Sequence, residues 1–174
     1  LIGKYNLNKI GVGCPGDIID GKLIFASNLG WKNIDLLKEF EKTFPNCEVK
    51  VDNDGLVSCN AEIIYGGLAN VKDGLFVTIG KGVGGAIIID HKILLGSNNY
   101  AGRFGHTIIK TGGRRCNCGR KGCYETYASI SGLIKTVKEY NAKWTKESEK
   151  IDVDKLSGFR ILSYLNEKTR EHAV

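Results

Sequence analysis

The chain has 174 residues, of which 42% are apolar and 25% charged, a balance that is typical of a globular protein and excludes a wholly disordered chain. Lys and Arg number 25 against 19 Asp and Glu, which gives a net charge of +6. The 23 glycines have no three-residue period, so collagen is excluded. No apolar run approaches the roughly 18 to 20 residues that a membrane helix needs. Because the chain begins at Leu1 and lacks Met, we expect its natural start, and any targeting segment there, to be missing.

The pattern of apolar residues predicts strands that alternate with helices, which favours an α/β fold. Strands are expected at residues 9–13, 22–26 and 48–51, and helices at residues 34–44 and from residue 54 to residue 65. After a loop at residues 69–74 that suits a hinge, strands are expected at residues 75–79, 86–90, 93–95 and 107–109. A long helix is expected at residues 123–140 and another at residues 154–171.

Four residues in the second half have the composition of a metal site. One imidazole and three thiols are what tetrahedral zinc prefers, and such a closed set of ligands is typical of a structural ion. The alternative is a group of reduced or disulfide-bonded cysteines. The candidate ligands are His106, Cys116, Cys118 and Cys123. The remaining cysteines lie far apart beside apolar residues and are expected to be ordinary buried thiols: Cys14, Cys47 and Cys59.

A glycine-rich loop lies between two predicted strands, at residues 80–85. A strand follows this loop, whereas a dinucleotide-binding loop precedes a helix, and Lys81 is followed by Gly82 rather than Ser or Thr, which excludes a Walker loop. A turn of this kind can direct backbone N–H groups at phosphate oxygens. The alternative is a plain hairpin.

Three carboxylates could take part in catalysis. Asp52 or Asp54 could orient a hydroxyl and accept its proton during phosphoryl transfer. We favour Asp54, because it lies at the start of the helix. The alternative is that it caps the helix. Glu125 follows the cysteine loop and could equally be a first-turn helix acid. The basic stretch at residues 110–124 contains no nucleic-acid motif, so nucleic-acid binding is not favoured.

Taken in order, these pieces resemble the ROK family of bacterial sugar kinases and sugar-responsive repressors. The resemblance runs from about residue 9 to residue 129. It is carried by Gly11-Val12-Gly13-Cys14-Pro15-Gly16, Asn28-Leu29-Gly30-Trp31, Asp52-Asn53-Asp54, the glycine loop, Ala101-Gly102, Gly105-His106, and the run from Cys116 to Ser129. The spacing of the four candidate metal ligands and the following Tyr124-Glu125-Thr126-Tyr127-Ala128-Ser129 are its most specific parts.

The resemblance implies an actin-like ATPase (ribonuclease H-like) fold whose two α/β lobes close on ATP and a sugar. Residues 1–68 would be the end of the first lobe and residues 69–174 the beginning of the second, so that the fold is incomplete at both ends. The implied activity is transfer of the γ-phosphate of Mg²⁺-ATP to a hexose, with glucose the first candidate. A cytoplasmic location and a homodimer are also expected.

The resemblance also assigns roles to individual residues. Asp54 matches the catalytic base, and His106 would bind zinc through one ring nitrogen and the sugar through the other. The implied sugar contacts are Asn28, Asn53, Asp54, His106 and Glu125. The implied phosphate contacts are Gly80, Lys81, Gly82, Gly84 and Gly85.

Three positions depart from the family pattern. Lys81 stands where Thr is usual, Arg103 where a sugar-contacting Glu is usual, and Gly55 where Ala is usual. The family's first phosphate motif is also missing, so we predict that this chain alone is inactive. The alternative functions are a sugar-responsive repressor, which would need a DNA-binding segment upstream, and a non-catalytic sugar-binding protein.

Overall fold

The structure is a computed structural model that describes residues 8–27, 29–142 and 152. The helix that the sequence predicts at residues 154–171 lies outside these described residues. The strands are β1 (Lys9–Cys14), β2 (Asp17–Ile19), β3 (Lys22–Ala26), β4 (Trp31–Asp35), β5 (Glu48–Asn53), β6 (Gly74–Ile79), β7 (Val83–Ile89) and β8 (Lys92–Leu94). The helices are α1 (Leu36–Thr43), α2 (Asp54–Tyr65), the 3₁₀ helix Phe104–His106, α3 (Glu125–Ala128) and α4 (Ile130–Asn141).

Strands β1 and β5 form a parallel pair in which Cys14 lies opposite Asn53. Both strands therefore end at the same edge, where β1 continues into Pro15 and Gly16 and β5 continues directly into α2. The carboxyl ends of parallel strands are a common place for ligand sites in α/β proteins. This pairing places Asp54, the first residue of α2, at such an edge.

The strands β2, β3 and β4 form a separate antiparallel sheet in chain order. Its buried face forms a core with the end of β1 and the start of α1. The core residues are Cys14, Ile18, Leu23, Ala26 and Leu36. This cluster fixes the β2 segment beside the end of β1, next to the edge where Asp54 lies.

The strands β6, β7 and β8 form a third sheet, also antiparallel. Helix α2 packs on it, with Cys59 against Ala86 and Ile88, and these three side chains are fully buried. The helix that begins at Asp54 thus contacts both β1 and β7. It therefore holds the edge of the first sheet beside the glycine-rich turn between β6 and β7. The division of the chain at residue 68 stays a prediction.

The described structure differs from the sequence-based elements at several places, and β7 begins at Val83, within the predicted glycine loop. Ile34 and Asp35, which the sequence predicts in a helix, pair with Leu23 and Lys22 of β3. The helix α1 therefore begins at Leu36, and the Asp35 side chain accepts a hydrogen bond from Lys38 N at 3.2 Å. The strand predicted at residues 107–109 is wrong, because Ile108 forms only an isolated bridge with Cys123. The helix predicted at residues 123–140 is broken at Ser129, which separates α3 from α4.

Ser129 explains this break. Its backbone is extended, and its hydroxyl accepts a hydrogen bond from Gly132 N at 3.0 Å. That contact satisfies one of the N–H groups left free at the start of a helix, so Ser129 caps α4 rather than continuing α3. Strand β2 was not predicted at all. Among the described residues, no helix has the length and apolar character needed to span a membrane.

Candidate functional site

A cavity of about 1110 Å³ lies between the end of the first sheet and the turn of the β6–β7 hairpin. This is large enough for a ligand with several functional groups, since small-molecule pockets range from about 300 to 1,000 Å³. It is lined from one side by Asn53 and Asp54 and from the other by the glycine turn, His106 and Glu125. The structure thus brings most of the predicted site residues to one cavity. The predicted metal ligands Cys116 and Cys123 do not line it, and Asn28 lies outside the described residues.

Asn53 uses its side chain to build the edge of the cavity. Its Oδ1 atom accepts hydrogen bonds from Gly55 N at 3.0 Å and Leu56 N at 3.2 Å, which caps α2. Its Nδ2 atom donates to the Gly16 carbonyl at 2.9 Å. Both lone pairs of the amide oxygen and one of the two amide hydrogens are therefore used. Among the described residues, the second amide hydrogen has no hydrogen-bond partner.

Asp54 is not the cap of the helix, so the alternative weighed from the sequence does not apply. Its Oδ1 atom accepts a hydrogen bond from Gly55 N at 2.9 Å. Its Oδ2 atom has no protein hydrogen-bond partner among the residues that the structure describes. The side chain is exposed and lines the cavity.

The four candidate metal ligands converge. One ligand atom from each of His106, Cys116, Cys118 and Cys123 lies within 4.8 Å of all the others. The Sγ atoms of Cys118 and Cys123 are 3.7 Å apart, and Cys116 Sγ is 3.7 Å from His106 Nδ1. Sulfur atoms bound to one zinc at about 2.3 Å lie at similar separations. All six cysteines are free thiols, which excludes the disulfide alternative in this structure.

The loop that carries the cysteines is held by its own backbone. Cys116 N donates to the Arg120 carbonyl at 2.8 Å, and Gly119 N donates to the Cys116 carbonyl at 3.0 Å. Gly122 has a φ of +81°, and an added Cβ there would collide with the Lys110 carbonyl. Only glycine fits this position, because the left-handed backbone and the close approach both exclude a side chain.

Glu125 lies against the metal cluster as well as the cavity. Its Oε1 atom accepts a hydrogen bond from Cys116 Sγ at 3.0 Å and lies 3.5 Å from His106 Nδ1. Burial, together with the hydrogen bond to Glu125, raises the pKa of the Cys116 thiol. Burial also acts to raise the pKa of Cys118, but hydrogen bonds from Arg120 outweigh it and lower that pKa. The thiols thus differ in the ease with which they become thiolates.

The glycine-rich loop is a tight hairpin turn made by Gly80, Lys81 and Gly82. Gly80 N donates to the Gly82 carbonyl at 2.9 Å, and the Gly80 carbonyl accepts from Ile130 N at 2.9 Å. An added Cβ on Gly82 would lie 2.9 Å from Glu125 Oε2. The turn therefore lies directly against the carboxylate of Glu125. Gly84 and Gly85 belong to β7 and pair with β6, although both also line the cavity.

Arg103 pairs with Asp17, a residue that the sequence did not single out as part of the site. Its guanidinium forms an ion pair with Asp17 and lies 4.5 Å from the centroid of the Tyr100 ring. The Tyr100 hydroxyl donates to Asp17 Oδ2 at 3.1 Å. All three residues line the cavity. Asp17 and Tyr100 are functional candidates that sequence reasoning missed, and their separation along the chain left no local signal.

The chain is similar to known proteins over most of its length. The protein-family model described as ROK family matches residues 3–167. A glucokinase of Halalkalibacterium halodurans is 37% identical over 155 residues, which are 87% of this chain and 47% of that protein. A xylose repressor of Bacillus subtilis is 32% identical over 140 residues, which are 80% of this chain and 36% of that protein. The chain therefore spans less than half the length of these curated relatives.

Solved structures show the same likeness. A ROK family glucokinase from Streptomyces griseus, in complex with glucose and AMPPNP, superposes with a TM-score of 0.81 at 28% identity and covers 96% of this chain and 55% of its own. A ROK family transcriptional regulator, a homologue of the E. coli MLC protein, has a TM-score of 0.70 at 27% identity and covers 83% of this chain and 38% of its own.

The described residues thus form part of an α/β fold of the actin-like ATPase type, shared with sugar kinases. The chain belongs to the ROK family.

Proposed function

We propose that this chain is part of an ATP-dependent hexose kinase in which Asp54 is the general base. The observation that carries the proposal is the exposed Asp54 carboxylate in a cavity shared with the glycine turn and Glu125. A sugar hydroxyl placed against the free Oδ2 atom would be oriented and deprotonated there, as phosphoryl transfer requires. Glucose is the first candidate substrate, supported by the glucokinases among the relatives.

The sugar contacts follow from the groups that remain available. Glu125 and Asp54 offer acceptors for hydroxyl groups, and Asn53 offers its one remaining amide hydrogen. His106 directs Nδ1 towards Cys116 and Glu125, so its Nε2 atom is the one left for a sugar hydroxyl. The proposal keeps Asn28 as a sugar contact on the family resemblance alone.

For the nucleotide we propose phosphate contacts from Gly80, Lys81, Gly82, Gly84 and Gly85. The Gly80 N–H already bonds within the turn, so the Lys81 and Gly82 backbone and the Lys81 ammonium group are the main candidates. Lys81 is exposed and lines the cavity. A cation there would offset phosphate charge, while Mg²⁺ would arrive with ATP.

The four converging ligand atoms fit a structural zinc ion, which we propose is held by His106, Cys116, Cys118 and Cys123. The ion would supply no chemistry to the reaction beyond fixing these side chains. By binding His106 and Cys123, the ion would fix the orientation of the His106 ring and the position of the segment that leads to Glu125. We propose a cytoplasmic location, supported by the glucokinases among the relatives.

The test is to produce the protein at the length of its relatives and to assay glucose, fructose, mannose and N-acetylated hexoses with Mg²⁺-ATP. The Asp54→Asn variant is expected to lower kcat by about 10²- to 10⁴-fold, the contribution of a positioned general base. Asp52→Asn is the matched control, because Asp52 lies in β5 outside the cavity lining. Turnover that survives Asp54→Asn would refute the catalytic role.

Two further functions are supported by separate observations. The xylose repressors among the relatives favour a sugar-responsive regulator, which would bind a sugar and a DNA operator without turnover. The ion pair of Arg103 at a position where the family usually has Glu favours a sugar-binding protein without activity. In the longer protein, operator binding that responds to sugar distinguishes the first, and gain of turnover in Arg103→Glu distinguishes the second.

A further inference from the structure

The guanidinium group of Arg114 is fully hydrogen-bonded. An arginine side chain has five N–H donors, and each of them meets an acceptor here. The Nε atom donates to Glu139 Oε1 at 3.1 Å, Nη1 donates to the carbonyls of Thr126 at 2.8 Å and Gly132 at 3.0 Å, and Nη2 donates to Thr136 Oγ1 at 2.9 Å and Glu139 Oε2 at 2.6 Å.

Tyr127 adds two more contacts to the same residue. The guanidinium carbon lies 4.7 Å from the centroid of the Tyr127 ring, within the range of a cation–π interaction. The Arg114 backbone N–H donates to the Tyr127 hydroxyl at 2.9 Å. Tyr127 therefore contacts both ends of the arginine and fixes the direction in which its side chain leaves the backbone.

These contacts join segments that have separate roles in the site. Arg114 lies two residues before Cys116, and its carbonyl accepts a hydrogen bond from Gly122 N at 2.8 Å, next to Cys123. Its acceptors lie on α3, beside Glu125, and along α4 from Gly132 to Glu139. One side chain thus bridges the start of the cysteine loop, the helix that begins at Glu125 and the helix that follows.

An ordinary surface ion pair does not explain this arrangement. The Arg114 side chain is only 13% exposed, whereas Glu139 is 61% exposed, so the bond to Glu139 alone would contribute little. The two carbonyl acceptors are fixed backbone groups on either side of the break at Ser129. The planar guanidinium group, with five N–H donors, fits these acceptors. A lysine ammonium group, with three N–H donors on one atom, cannot form the same set of hydrogen bonds.

We propose that Arg114 is a positioning residue that holds the cysteine loop against α3 and α4. It thereby keeps the metal ligands and Glu125 in fixed relative positions, whether or not the ion is bound. The part that concerns Glu125 and zinc rests on the proposed function. The part that concerns the docking of the loop stands on the hydrogen bonds alone.

The first experiment compares Arg114→Lys with Arg115→Lys in the purified 174-residue chain loaded with Zn²⁺. Arg115 is the adjacent, exposed arginine, so the same substitution serves as the matched control. Zinc release to an excess of a colorimetric chelator is expected to be about tenfold faster in Arg114→Lys, as is typical when a group supporting a metal site is lost. Arg115→Lys should release zinc at the rate of the parent chain. Equal rates in the two variants would overturn the role at the ligands.

The second experiment removes the metal and measures backbone hydrogen exchange at a temperature where both variants remain folded. In Arg114→Lys the amides of residues 116–128 should exchange faster, while those of β6 and β7 should keep their rates; Arg115→Lys should match the parent. Uniform acceleration over the whole chain would show a merely structural role and overturn the proposal. A chain that binds no zinc would refute the metal site of the proposed function, and this second experiment would still decide the role of Arg114.

Tyr127→Phe provides a milder test if Arg114→Lys fails to fold. It removes only the acceptor of the Arg114 backbone N–H and keeps the aromatic ring under the guanidinium. The same local acceleration is expected at residues 116–128, with a smaller amplitude. Unchanged exchange in this variant would overturn the proposal.

Discussion

Arg103 and Asp17 form an ion pair across the wall of the cavity, although 86 positions separate them in the chain. Asp17 begins β2, whereas Arg103 directly precedes the 3₁₀ helix that contains His106. Their side chains are 20% and 28% exposed, so the pair is shielded from solvent more than a typical surface pair. The pair therefore links the first and second halves of the chain beside the site.

We expect this pair to stabilise the chain. Arg103→Gln and Asp17→Asn, combined in a double-mutant cycle, should show a coupling of about 1 to 2 kcal/mol in the free energy of unfolding, because both partners are charged and partly buried. The exposed pair of Lys9 and Glu48, 3.6 Å apart, is the control and should show a coupling below about 0.5 kcal/mol. Urea denaturation measures both. Equal couplings would contradict the role given to Arg103.

Asn53 should matter for stability as well as for the site. Asn53→Ala removes the cap of α2 and the bond to Gly16, so we expect a loss of about 1 to 2 kcal/mol or more in the free energy of unfolding. Asn53→Ser keeps a capping oxygen and loses the donor to Gly16, so its loss should be smaller. Asn60→Ala, at an exposed position of the same helix, is the control and should not destabilise. The hypothesis fails if Asn53→Ser is as costly as Asn53→Ala.

The glycine turn should be coupled to sugar binding through Glu125. In Gly82→Ala the new Cβ would approach Glu125 Oε2 to 2.9 Å and displace the carboxylate. We expect a fall in sugar affinity of about tenfold, equivalent to about 1.4 kcal/mol, measured by calorimetry on the longer protein. Gly80→Ala is the matched change in the same turn, because an added Cβ there meets nothing within 4 Å. If both variants bind sugar equally, Glu125 does not contact the sugar.

Zinc binding should release protons. The pKa values of Cys116 and Cys123 are raised by burial, so these thiols carry their protons at neutral pH in the metal-free chain and must lose them to coordinate zinc. Zinc affinity should therefore fall as the pH falls from 8 to 6. Calorimetry in two buffers with different ionisation enthalpies would count the protons.

Cys118→Ser should abolish tight zinc binding, because it removes one of the four ligands. Cys47→Ser, which changes a cysteine outside the cluster, is the control and should retain zinc. A pH-independent affinity, or zinc retained by Cys118→Ser, would count against the four-ligand site.

The parts of the fold that could be predicted are those fixed by local sequence. Strand β3 is confirmed at both ends, because its apolar run is bounded by turn residues. The candidate metal ligands come close together because three of the four lie in one short loop that can fold back on itself. Ser129, a good capping residue, carried a signal for the helix break that the apolar periodicity concealed.

The remaining features depend on contacts between distant segments. The sequence predicts no strand at β4 and begins the helix at residue 34, whereas Ile34 and Asp35 pair with β3. The Asn53 side-chain amide donates to the Gly16 carbonyl, which lies 37 residues away in the chain. The ion pair of Arg103 joins β2 to the segment before the 3₁₀ helix, 86 positions away. No local pattern of residue types encodes these contacts.

The hydrogen bond from Ile130 N to the Gly80 carbonyl has a consequence for how the molecule would respond to a nucleotide. Any shift of the hairpin on meeting a polyphosphate must either carry α4 with it or expose that single amide to solvent. The Ile130 amide signal in a heteronuclear NMR spectrum is therefore an internal reporter of hairpin position, readable without substituting a single side chain.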